Sequence, residues 1–152
     1  MSILNQKTIK EKISLSGIGL HTGQKVEINL LPSTPNTGII FKRIDIKKNN
    51  TIIPTYNNVV EATLCTTISN EYGVKVSTIE HLMAAFYGLG IDNAIVELNS
   101  QEVPIMDGSA KQFVELILQS GIQASDAPIK IIKVDQDTVI KEGDKSISIN
   151  KS

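Results

Sequence analysis

Glu80 and His81 stand side by side near the start of the stretch Ser77-Thr-Ile-Glu80-His81-Leu-Met-Ala-Ala-Phe-Tyr-Gly-Leu-Gly90, and they are the only adjacent acid–imidazole pair in the chain. A tuned carboxylate can take or give a proton, and a neutral imidazole can ligate a metal. The spacing is not His-Glu-x-x-His, which sets two metal ligands on one helical face. Two readings stand open at this point. One is a general base beside a metal ligand. The other is a capping-box glutamate beside a half-buried histidine with a backbone partner. The remaining candidates are isolated from one another. His21 sits in a glycine-rich loop. Cys65 has no histidine nearby in sequence to activate it and reads first as a small buried hydrophobe. Asp107, followed by glycine, reads as a turn former and as negative charge at a helix N-terminus.

The elements that must carry these residues follow from local pattern. Ser77 with Glu80 three residues on has capping-box spacing. Ile79, Leu82, Met83 and Phe86 recur at helical spacing, and Gly88 and Gly90 follow as residues that tolerate positive φ. This predicts a helix opening at Ser77, with His81 in its first turn, where the helix field favours the neutral ring. A second helix is predicted from Ser109 as cap, with Gln112 in capping-box position, Phe113, Leu116 and Ile117 as stripe and Gly121 as stop.

Strands are predicted over residues 8–15, 26–30, 38–44, 52–53, 64–69, 74–76 and 93–98, with a turn at 32–37, a hairpin loop at Asn70–Gly73 and a loop at 55–60. Ser16-Gly17-Ile18-Gly19-Leu20-His21-Thr22-Gly23 is either a hairpin connection or a substrate loop with His21 at its tip. It meets neither the Walker nor the dinucleotide pattern. Residues 123–128 read as a linker, followed by strand-like runs at 129–134, 138–141 and 146–149, with a turn at Gly143-Asp144. Three short strands without a helix cannot bury a core alone. The expected fold class is therefore α/β, of the α+β two-layer kind. A small mixed sheet with two helices packed on it fills residues 1–124, and residues 125–152 hold the linker and opening strands of an incomplete second domain.

Bulk properties narrow the partners. With 152 residues, 41% hydrophobic and 20% charged, the chain can build a core of about one domain. Aromatics are 4% with no Trp, too few for a base-stacking surface. A net charge of -1 with scattered Lys and Arg argues against nucleic acid as a partner. A single cysteine excludes an internal disulfide and fits a reducing compartment. Residues 1–12 lack a signal-like apolar core, and no run approaches the roughly 18 apolar residues of a membrane span. These features predict a soluble, cytoplasmic protein without a transmembrane segment.

Taken in order, Gly17-Ile-Gly-Leu-His-Thr-Gly23, Leu64-Cys-Thr66, Ser77-Thr-Ile-Glu-His-Leu82, Gly88-Leu-Gly-Ile-Asp-Asn93 and Pro104-Ile-Met-Asp-Gly-Ser109 closely resemble the N-terminal half of the zinc-dependent UDP-3-O-acyl-N-acetylglucosamine deacetylases. That family carries out the committed step of lipid A synthesis in Gram-negative bacteria. The resemblance covers essentially the whole chain. It implies two α/β domains of similar build with the active site between them. By matching position it implies that His81 is a zinc ligand and Glu80 the general base. Leu64 and Cys65, with Leu20, His21 and Thr22 of the glycine loop, would line the cleft for a UDP-sugar acyl substrate. It assigns Asp107 no catalytic role. The family's remaining zinc ligands, a further histidine and the acyl-chain passage belong to its second domain. This chain has only His21 and His81, so a missing C-terminal domain or partner chain is implied, and the chain alone is expected to be inactive.

Two other classes stay in view. The chain could be a non-enzymatic, family-derived domain that binds a sugar nucleotide or a partner protein. It could also build a metal site of its own, from His21 and His81 with Asp107 or across a dimer. A lost partner domain would leave an exposed apolar face and self-association.

Overall fold

The computed structural model describes residues 4–151. Alternation of apolar and polar residues makes the central strands. Strand β1 is Asn5–Ile9, β2 Ile13–Ile18, β3 Lys25–Pro32, β4 Ile39–Arg43 and β5 Thr51–Ile52. After a single 3-10 turn come β6 Val59–Glu61, β7 Thr67–Ser69 and β8 Lys75–Val76. Helix α1 is Glu80–Leu89, β9 Ala94–Leu98, α2 Lys111–Ser120, β10 Ile122–Pro128, β11 Thr138–Glu142 and β12 Lys145–Ile149.

The main sheet has five strands in the order β2-β3-β9-β4-β5, with β4 and β9 parallel and the other neighbours antiparallel. Register puts the apolar positions on one face. Ile28 pairs with Leu98 and Leu30 with Val96, and Val96 also faces Phe41. All five are buried, together with Leu82, Ala85 and Phe86 of α1 and Phe113 and Ile117 of α2. A strand face with period 2 meets helix stripes with period 3.6, and the core lies between them. The fold is α+β with a mixed sheet and two helices, as the patterning predicts. A smaller antiparallel sheet, β6-β7-β8, sits beside it. Its first strand lies partly within residues read from sequence as loop.

Both predicted helices exist, but they start later than their cap signals suggest. Helix α1 begins at Glu80 with no side-chain cap. Ser77 is taken instead by the strand-like segment after β9. Its N–H donates to the Gln101 carbonyl at 2.8 Å, and its carbonyl accepts from the Val103 N–H at 3.0 Å. Its hydroxyl bonds the same Gln101 carbonyl. A backbone partner satisfies Ser77, so the capping box does not form. At α2 the hydroxyl of Ser109 accepts from the Lys111 N–H at 3.1 Å and donates to Asp107 at 2.9 Å, again without the capping-box register. The stops hold. Gly90 closes α1 in the left-handed conformation (φ 67°), which costs glycine little. Gly88 is still helical.

Residues 123–128 are not a linker. They form β10, antiparallel to β1 at the far end of the sequence. The pairing is secured by buried Gln6, whose amide donates to the Pro128 carbonyl (2.8 Å) and to Asn36 (3.0 Å). Its oxygen accepts from the Asn36 N–H and from Asn93. The expected strand at 129–134 is absent: the Ile129 N–H still donates to the Leu4 carbonyl at 2.9 Å, but beyond it the run leaves the body, and Ile132 is 93% exposed. The other two runs pair as an isolated hairpin, β11-β12, turning at Gly143-Asp144.

Candidate active site

The β2-β3 hairpin brings its tip to the start of α1. Gly19 donates to the Gln24 carbonyl and accepts from Gly23, each at 2.9 Å, so the glycine loop is a hairpin connection with His21 and Thr22 at its end. A Cβ at Gly19 would collide with the Glu102 carboxylate and the Thr22 hydroxyl. That close approach is what the glycine is for.

Glu102 is the residue that sequence reading missed. Its side chain has 0% exposure. One carboxylate oxygen accepts from the His21 N–H (3.0 Å) and the Thr78 hydroxyl (3.0 Å). The other accepts from the Thr22 N–H (2.9 Å) and the Thr22 hydroxyl (2.7 Å). Burial pushes this carboxyl up, but the donors from His21, Thr22 and Thr78 outweigh it and hold it below the usual glutamate value. The available signal was local: an acid within Gln-Glu-Val-Pro, directly before a matched motif, with no charged partner in sequence.

Glu80 opens α1, half-buried, and its carboxylate accepts from the Thr66 N–H at 3.1 Å. That bond ties the catalytic candidate to the Leu64-Cys65-Thr66 segment, 14 residues earlier in the chain. His81 follows on the same turn, half-buried, and among the described residues nothing hydrogen-bonds its imidazole. His21, Thr22 and Cys65 line one cavity of about 310 Å³ with Thr67, Lys75 and Ser77. Glu80 and His81 do not line it. Leu20 and Leu64 stand exposed, at 59% and 82%. Cys65 lies within 3.7 Å of the Thr67 hydroxyl and has no partner to activate it. Asp107 is a turn residue: it accepts from the Ser109 N–H and hydroxyl, and the Ser109 hydroxyl holds its carboxyl below the usual range.

Among the described residues no group of three His, Cys, Asp or Glu could hold a metal ion. Within one chain, the described residues therefore form no self-sufficient site of His21, His81 and Asp107. His21 and Asp107 are committed to separate turns. What the arrangement offers is the His81 imidazole, free of hydrogen bonds among the described residues as the His21 ring also is, an adjacent carboxylate oriented by Thr66, and a cavity reached from a clamped loop.

A sequence profile of the UDP-3-O-acyl N-acetylglycosamine deacetylases (LpxC) matches residues 6–152. Proteins named UDP-3-O-acyl-N-acetylglucosamine deacetylase are similar over 143 residues, or 94% of the chain. The one from Teredinibacter turnerae is 50% identical, that from Vibrio cholerae 45% and that from Haemophilus influenzae 43%. In each case the match covers 47% of the relative, so the chain spans about half the length of the curated relatives it matches. On the extent of that profile match, the chain belongs to the UDP-3-O-acyl N-acetylglycosamine deacetylase family.

Proposed function

We propose that this chain supplies the N-terminal half of a zinc-dependent amide hydrolase. It removes the N-acetyl group of UDP-3-O-acyl-N-acetylglucosamine, the committed step of lipid A synthesis. The observation that carries the reading is the Thr66–Glu80 bond. It ties the carboxylate that directly precedes His81 in the chain to the Leu64-Cys65-Thr66 segment.

Glu80 acts as general base, taking the proton of the attacking water. The Thr66 N–H fixes one of its oxygens and leaves the other for that proton. His81 is a zinc ligand, and its half-buried, unbonded ring suits that role. Zinc, when bound, makes its water acidic and polarises the amide carbonyl. The described residues fit the metal only in part, since a catalytic zinc normally has three protein ligands and no such group occurs among them. In this reading the other ligands belong to the remaining half of the family's length, and the residues beyond β10, 129–152, begin that second domain. Leu20, His21, Thr22, Leu64 and Cys65 line the cleft for the UDP-sugar acyl substrate. We place the reaction in the cytoplasm, a reducing compartment that the single cysteine fits. Among the described residues no helix is long and apolar enough to cross a membrane.

Zinc titration followed on the two imidazoles tests the metal assignment. Zinc is expected to shift the ring signals of His81 at high micromolar to millimolar metal, on the order of a one-ligand site, and to leave His21 unchanged. His81→Ala should abolish the response. A response confined to His21, or one surviving in His81→Ala, would remove His81 as a ligand.

A further inference from the structure

Thr78 takes φ 57°. Among the described non-glycine residues with positive φ, namely Asn36, Asn49, Thr78 and Met106, it alone is β-branched. Such a residue in the left-handed region is strained and persists only where its surroundings hold it. Three bonds do so. The Ser77 N–H and carbonyl are tied to Gln101 and Val103 (2.8 and 3.0 Å), and the Thr78 hydroxyl is tied to Glu102 (3.0 Å). Two residues later comes Glu80. The direction in which α1 leaves the sheet, and so the aim of Glu80 and His81, is set at this strained turn. The same carboxylate holds the backbone of His21 and Thr22.

We propose that Glu102 is a positioning residue. One buried carboxylate fixes the loop at the substrate cavity and the turn that launches the catalytic helix, in a single register. Both oxygens are used twice, so the clamp is complete without water. A carboxylate is required for this: either placement of a Gln amide would turn an NH2 group toward one of the two backbone N–H donors. The proposal rests on the reading of Glu80 as base and His81 as metal ligand, but its test does not.

The Thr66 amide is the reporter, because it bonds Glu80 and does not touch Glu102. In the 152-residue chain, Glu102→Gln is expected to shift the His21 and Thr22 amides and also the Thr66 amide, and to speed Thr66 hydrogen exchange about tenfold or more. The Lys10 amide, bonded to the Gly121 carbonyl, should stay protected and show that the chain is folded. Thr78→Ala and Thr78→Ser form the second arm, which also decides the question if Glu102→Gln unfolds. The serine keeps the hydroxyl and should retain the parental Thr66 protection, whereas the alanine should lose it. Shifts confined to His21 and Thr22, with Thr66 unmoved in Thr78→Ala as well, would overturn the proposal and leave Glu102 as a loop anchor only. A failure of the deacetylase reading would look different: zinc would not perturb His81 while Thr66 still followed Glu102.

Discussion

A carboxylate with no exposed surface is destabilising unless donors replace its water, and at Glu102 they do. This makes the site sensitive to acid. The folded-state value of Glu102 is lowered, so its contribution to stability is present above the unfolded value and lost as pH falls through the folded one. The midpoint of urea unfolding should therefore drop as pH descends below the ordinary glutamate range. Glu102→Gln should be less stable near neutrality and show a flatter acid limb. Equal acid slopes in parent and variant would contradict the clamp. Glu102 was illegible in the sequence because a glutamate between Gln101 and Val103 looks like a surface residue. Only the fold brings Thr22, 80 positions away, against it. Glu80 and His81 were conspicuous for the opposite reason: their signal is adjacency. Of the two readings of Glu80, the capping box does not form: Ser77 bonds the segment at Gln101 and Val103, and the Glu80 carboxylate accepts from Thr66 instead.

The elements divide by how local their causes are. Strands β3 and β9 alternate cleanly and were legible. So were the apolar stripes of α1 and α2 and the glycine stops. Strand β10 has no such pattern: its residues, Ile-Gln-Ala-Ser-Asp-Ala-Pro, look like a linker. Its strand state comes from β1 and from Gln6, which lies 122 positions before Pro128. Gln6→Ala strands the Asn93 amide and the Asn36 N–H without their acceptor. It should destabilise the chain by about 1–3 kcal/mol. The loss should be concentrated where hydrogen exchange reads β10, with the five-strand sheet still protected. Uniform loss across the sheet, or no loss at β10, would show that Gln6 is not what holds this strand.

At the scale of the molecule, residues 4–128 form the closed body, and the β11-β12 hairpin pairs only with itself. Ile140 and Ile147 face each other across that hairpin at 64% and 66% exposure, and Ile131 and Ile132 precede it at 80% and 93%. Apolar area of this kind favours association. The full chain is expected to self-associate at high concentration. A chain ending at Val134 with Ile131→Ser and Ile132→Ser should sediment as a monomer and lose no more than about 0.5 kcal/mol of stability. A strictly monomeric parent at millimolar protein would count against an uncovered face.

The most direct test joins this chain to the remaining half of the 50% identical Teredinibacter turnerae relative, in place of that protein's own matching residues. Turnover of UDP-3-O-acyl-N-acetylglucosamine is then measured for the parent fusion and for the same fusion carrying Glu80→Gln. The account expects an active fusion whose kcat falls about 10²–10⁴-fold in the variant, while zinc remains bound. An active fusion in which Glu80→Gln turns over as fast as its parent would contradict the assignment of Glu80 as the base.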